Sequence, residues 1–212
     1  MKLVSLPCSL AHLTKSSNIG SVKQGKFLNN TKRKEVIMHS ISIITAMTND
    51  KRVIGNKGEM PWGRMLRDLE YFKKLTMGFP VVVGYNTLVS ISEMSRRSTN
   101  LLPGRTLCVL TRDQNKLTRF TDCIWLPDVM SVINLSQRIR VFIAGGENVY
   151  RQFIDLPEVR TIYMTRIIAN YHGDTFFPNY SADDWLTIQR ENHAVSEKNK
   201  HPLIFETLIR RK

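Results

Sequence analysis

One carboxylate in this chain sits where a charge is costly. Residues 58–76 read Gly-Glu-Met-Pro-Trp-Gly-Arg-Met-Leu-Arg-Asp-Leu-Glu-Tyr-Phe-Lys-Lys-Leu-Thr. Pro61 and the two glycines mark a loop. Met65, Leu69, Phe72 and Leu75 then recur every three or four residues, which predicts a helix over 65–75 with one apolar face. Asp68 lies four residues before Phe72, on or beside that face. An unpaired buried carboxylate is expensive. Asp68 therefore either complements the helix dipole from the first turn or is held there as an acid–base group for a ligand.

Two strand–glycine–helix junctions suggest a second chemistry. Val83-Gly84-Tyr85-Asn86-Thr87 and Ala144-Gly145-Gly146-Glu147-Asn148 each put glycine before a helix start. Unpaired amides and the positive dipole end suit phosphate there, and glycine admits it close to the backbone. Most Gly-Gly pairs are plain turns, and Gly-x-Gly-x-x-Gly is absent, so there is no ordinary dinucleotide fingerprint. Arg105, after Leu102-Pro103-Gly104, and Arg112, after Thr111, add guanidinium forks that match carboxylate or phosphate. Each arginine reads equally as a solvated charge at a turn or strand end.

The elements that must position these groups alternate. Strands are predicted at 41–47, 80–83, 105–110, 123–126, 141–144 and 161–168, with a terminal antiparallel hairpin at 185–190 and 203–210. Helices are predicted at 65–75, 86–91, 129–138 and 147–154, and residues 48–62 and 92–101 read as loops. The alternation predicts a single α/β domain: a mostly parallel central sheet flanked by helices, made mixed by the C-terminal hairpin.

Composition bounds the function. The chain has 212 residues, 42% hydrophobic and 23% charged, enough for one domain with a substantial core and typical of a globular protein. No apolar run approaches a membrane span. Cys8, Cys108 and Cys123 are odd in number and lack metal-ligand spacing, pointing to free thiols and no metal. The net charge is +13, of which residues 1–37 carry +6 through seven Lys or Arg against Glu35. A basic body suits anionic small molecules or nucleic acid, but no aromatic–basic interleaving or zinc pattern favours the latter. Residues 1–37 are rich in Ser, Asn and Lys with little periodicity. They read as a disordered basic extension, an organelle transit peptide or a segment upstream of a natural start at Met38. The folded domain is expected over 38–212.

Several motifs in order resemble the dihydrofolate reductase family: Arg52-Val53-Ile54-Gly55, Gly58-Glu59-Met60-Pro61-Trp62, Asp68-x-x-x-Phe72, Thr87, Leu102-Pro103-Gly104-Arg105, Gly145-Gly146, Tyr150 and Gly173-Asp174-Thr175. The resemblance spans residues 38–212. It implies NADPH-dependent reduction of dihydrofolate, with a hydride added at C6 and a proton at N5. It places Asp68 against the pterin 2-amino group and N3, Trp62 and Thr165 beside a proton-delivering water, and Tyr150 near the nicotinamide. Ile44, Ala46, Leu69, Phe72 and Ile91 would wall the substrate, although core packing accounts for each of them as well. Arg105 would pair with the folate α-carboxylate.

For the cofactor, the resemblance implies Ala46, Ile54, Gly55, Asn56, Met60, Gly84, Tyr85, Asn86, Thr87, Thr111, Arg112, Ala144, Gly145, Gly146, Glu147, Asn148, Val149 and Tyr150. Gly145-Gly146 would be joined by a cis peptide, and Arg112 would meet the 2′-phosphate. The chain departs from the family pattern at Tyr85, where a basic residue is usual, at Glu147, which would bring a negative charge towards the phosphates, and at Asn148. A cytoplasmic monomer acting on dihydrofolate is expected, with no nucleic-acid or membrane partner. Two alternatives are the related reductase of riboflavin biosynthesis and a basic nucleic-acid-binding protein.

Overall fold

The computed structural model describes residues 40–211. The readings of residues 1–37 and of a start at Met38 fall outside them. In chain order the elements are β1 (Ile41–Thr48), β2 (Val53–Gly55), α1 (Leu66–Thr76), β3 (Pro80–Gly84), α2 (Tyr85–Ser95), β4 (Thr106–Leu110) and β5 (Ile124–Leu126). There follow α3 (Val129–Ser136), β6 (Val141–Ile143), α4 (Glu147–Phe153), β7 (Val159–Ile167), β8 (Thr175–Phe176), β9 (Trp185–His193) and β10 (Leu203–Arg210).

Eight strands form one sheet in the order β5-β4-β3-β6-β1-β7-β10-β9. The six strands from β5 to β7 run parallel, while β10 is antiparallel to both β7 and β9. This is the mixed, mostly parallel architecture expected from the alternating elements and closing hairpin. Strands covered on both faces should be apolar throughout, and Ile41, Ile43, Ile44, Val81, Val82, Val83, Val141, Phe142 and Ile143 are all buried. Successive side chains of β1 divide between two packed clusters: Ile41, Ile43 and Met47 join Tyr150 and Phe153 of α4, while Ile44 joins Val83 and Leu88. The site opens where β1, β3, β6 and β7 end.

Three local expectations are corrected. Residues 48–62 are not all loop: β2 pairs with β8 in a separate two-stranded sheet. A three-residue strand carries no usable periodicity and exists through a partner 120 positions away in the chain. The second helix runs from Tyr85 to Ser95 instead of stopping at Ile91. Its stop is hidden because a non-glycine residue, Arg96, takes the left-handed conformation (φ 53°) that usually flags a helix end with glycine, and its amide bonds back to Ser92 and Glu93. The strands also shift, β7 starting at Val159 and β9 reaching His193.

Candidate active site

Helix α1 begins without a capping side chain, since Met65 at its N-cap makes no such bond. Met65 is buried, and Leu69 and Phe72 are half-buried. Asp68, in the first turn, is only 8% exposed. Burial disfavours its charged form and lifts its pKa to about 6, while the Thr165 hydroxyl pulls the other way. Thr165 reaches this point because β7 pairs beside β1, with Ala46 opposite Thr165. Trp62 is 1% exposed and meets Tyr171 edge-on at 6.3 Å. The Tyr150 hydroxyl donates to the Ile44 carbonyl at 2.8 Å, and burial pushes its pKa well up. Among the residues expected at the substrate, the structure therefore brings together Ile44, Ala46, Trp62, Asp68, Tyr150 and Thr165.

Arg105 extends the same wall. Its guanidinium lies 5.7 Å from the centroid of the Phe72 ring, and its Nε donates to the Pro103 carbonyl at 3.3 Å. Burial lowers its pKa, the mark of a partly desolvated cation. Phe72 and Ile91 both pack on the cluster that holds Ile44.

The two glycine junctions meet. The Gly84 amide donates to the Gly145 carbonyl at 2.7 Å, and Gly145-Gly146 is a cis peptide, as the resemblance implied. A Cβ on Gly146 would stand 3.1 Å from the Thr87 hydroxyl, and one on Gly84 would stand 3.0 Å from Val149. Gly145 has φ 115°, and a Cβ there would press on the Tyr150 ring at 3.3 Å. Helices α2 and α4 start at N-caps Gly84 and Gly146, neither with a side-chain cap. Their first amides thus keep their donors for a ligand, which fits a pyrophosphate.

Thr111 and Arg112 line a cleft of about 510 Å³ with Leu110, Pro127, Asp128, Val129, Met130 and Gln152. Arg112 is exposed there. Tyr85 and Asn86 instead line a separate cleft of about 640 Å³ with Lys116 and Arg119. Lys116, in the 3-10 turn Gln114–Leu117, places its Nζ 5.6 Å from the Tyr85 ring centroid.

Glu147 does not aim its charge at the junction. Its carboxylate holds Arg151 at 2.5 Å and accepts the Phe176 amide at 2.9 Å. Burial alone would raise its pKa, but those two partners outweigh it and the net shift is downward. Asn148 is exposed, its carbonyl accepting from Gln152. Ile54 and Gly55 belong to β2, and Asn56 and Met60 to the loop after it, which the segment before β8 tethers: Asp174 donates its amide to the Gly55 carbonyl at 3.2 Å and accepts the Lys57 amide at 2.9 Å.

The family model for dihydrofolate reductase matches residues 40–210. The chain belongs to the dihydrofolate reductase family. A dihydrofolate reductase of Staphylococcus haemolyticus is 38% identical over 166 residues, which cover 78% of this chain and 92% of the relative. One from Staphylococcus aureus strain Mu50 is 34% identical over 163 residues, covering 76% and 93%. Among solved structures, a dihydrofolate reductase from Enterococcus faecalis complexed with NADP(H) and RAB-propyl superposes with a TM-score of 0.72 at 28% identity, covering 82% of this chain and 98% of that one. The dihydrofolate reductase fold thus presents a nearly dry carboxyl beside Thr165, a glycine cradle where the parallel strands β3 and β6 end, and an arginine beside Phe72 at the start of β4. Among the described residues, no group of three or more His, Cys, Asp or Glu is placed to hold a metal, and no helix is long and apolar enough to cross a membrane. Cys108 and Cys123 are free thiols whose pKa values burial pushes up to about 12 and about 11.

Proposed function

We propose that the protein reduces 7,8-dihydrofolate to 5,6,7,8-tetrahydrofolate at the expense of NADPH, supplying one-carbon metabolism. The observation that carries this reading is Asp68, a buried carboxyl whose pKa of about 6 lets it hold or release a proton near neutrality. NADPH, when bound, supplies the hydride to C6. Asp68 hydrogen-bonds the pterin 2-amino group and N3 and favours protonation, and water beside Trp62 and Thr165 delivers the proton to N5. Ile44, Ala46, Leu69, Phe72 and Ile91 exclude other water, and Arg105 takes the α-carboxylate. Gly84, Thr87, Gly145 and Gly146 hold the pyrophosphate, with Ala144 and Val149 behind them and Tyr150 near the nicotinamide. An absorbance assay of NADPH consumption with dihydrofolate tests the reading: consumption that depends on both substrates supports it, and its absence overturns it.

Cofactor choice gives a second test. NADPH differs from NADH by the 2′-phosphate, so discrimination requires contacts to that group. Arg112→Ala is expected to raise the NADPH Kd by about one to two decades, the worth of a charged hydrogen bond, and to leave NADH nearly unchanged. Titrations of both cofactors by quenching of intrinsic fluorescence measure this, and equal weakening of both would remove the role.

The same proposal makes residues 38–212 the catalytic unit of a cytoplasmic monomer. The lack of apolar periodicity in residues 1–37 supports the boundary at residue 38. A protein starting at Met38 is expected to keep its turnover and melting temperature, which an assay and a melting curve would check.

A further inference from the structure

The hairpin loop between β9 and β10 reaches back across the start of α1. The Arg67 amide, which has no intrahelical acceptor so close to the helix start, donates to the Lys198 carbonyl at 3.3 Å. Met65 offers no side-chain cap, so a carbonyl from a distant loop satisfies one of the open donors. The Arg67 side chain follows the same path: Nε donates to Asn199 Oδ1 at 3.1 Å, and Nη1 lies 3.2 Å from His193 Nδ1.

Asn199 is the anchor of that loop. It is 1% exposed. Its Nδ2 donates to the Ala194 and His201 carbonyls at 2.9 and 2.8 Å, and its Oδ1 also accepts from Ser196 Oγ at 2.8 Å. Aromatic contacts run beside the polar ones. His193 lies 4.6 Å from Phe205, and Phe205 stacks on Tyr71 of α1 at 4.1 Å. His201 bonds the Tyr171 hydroxyl at 2.7 Å, and Tyr171 meets Trp62. The loop thus holds the residue before Asp68, and the hairpin strand β10 packs Phe205 on Tyr71, one helical turn further along α1.

We infer that the β9–β10 loop is a remote cap that holds the first turn of α1 and shields Asp68 from water, with Arg67 and Asn199 as positioning residues. The inference rests on the proposed role of Asp68. The titratable groups that face the Asp68 carboxyl are Tyr71 from α1 and Tyr150 from α4, with the Thr165 hydroxyl of β7 as its hydrogen-bonding neighbour. The β9–β10 strap brings Glu191, His193 and Lys198, which meet Arg67 and Glu70 of α1. Opening the strap and removing a charge act in opposite directions. Loss of a nearby cation would push the Asp68 carboxyl higher, whereas hydration would bring it down towards the ordinary carboxylate range.

The test follows the Asp68 carboxyl by ¹³C NMR in the ligand-free protein, assigned with Asp68→Asn, so it reads the strap even if the proposed reaction fails. Arg67→Met and Asn199→Ala are each expected to lower the titration midpoint by about one pH unit, as a buried carboxyl gains water. The fall in kcat with rising pH should move by the same amount. Arg67→Lys should restore part of the shift, and Glu70→Gln, which breaks only the exposed pair with Lys198, should leave the midpoint unchanged. If Arg67→Met does not fold, Asn199→Ala gives the same reading. A midpoint that stays at about 6 or rises in a folded variant overturns the inference, even where the melting temperature falls.

Discussion

Asp68→Asn is expected to fold, to bind both substrates, and to lose on the order of 10²–10⁴-fold in turnover at neutral pH, the usual cost of a missing acid–base group. The same substitution is expected to raise stability. Burial holds the Asp68 pKa at about 6, above an unfolded value of about 3.9. The native state therefore favours the protonated acid. Its stabilising contribution is complete below the unfolded value, declines as pH rises through about 6, and is gone above it. An amide at this position carries no such penalty, so the mutant should melt above the parent at pH 7, by up to about 3 kcal/mol in stability. That margin should close as the pH is lowered towards 4. Melting curves across this window, read beside turnover, check both halves. A folded mutant with near-normal turnover would remove Asp68 from the chemistry, and a margin independent of pH would mean that the carboxyl is hydrated after all.

The features legible in the sequence were those written locally. Buried parallel strands appear as runs such as Val81-Val82-Val83 and Val141-Phe142-Ile143, and the stripe from Met65 to Leu75 gives α1 within one residue at each end. Asp68 stood out because a carboxylate on such a face conflicts with its neighbours. The sheet β2–β8 was not legible, because two very short strands are stabilised only by each other and by the core beneath them. The Arg67–Asn199 contact was equally hidden: the residues are 132 positions apart, and a loop asparagine reads as a turn former. Glu147 shows the opposite error. Its sequence position suggested a charge moving towards the phosphates, but a partner one helical turn away, Arg151, takes that charge. Side-chain direction at a helix start is set by neighbours that spacing alone does not reveal.

Gly173→Ala is expected to cost both stability and rate, although residue 173 touches none of the groups proposed to bind substrate. An added Cβ would lie 2.2 Å from Val53 Cγ1 and 2.5 Å from the Gly55 carbonyl oxygen. Val53 could yield by turning its side chain, but the carbonyl is backbone. Relief therefore requires residues 53–55 to move away from residues 173–176. That movement breaks the bond from the Asp174 amide to Gly55 and strains the one from Phe177 to Arg52. Overpacking of this kind typically costs about 1–3 kcal/mol, so the melting temperature should fall by several degrees. The effect on rate should be larger than on folding. Val53 and Gly55 anchor the loop that continues through Met60 to Trp62, and Trp62 packs in the same cluster as Met65 at the head of α1. A displacement of about 1 Å at a reacting centre can cost on the order of 10²-fold. Turnover at saturating substrate, compared with the melting temperature, separates the two effects. A Gly173→Ala protein that melts and turns over like the parent would show that the β2–β8 contact does not hold the loop over the site.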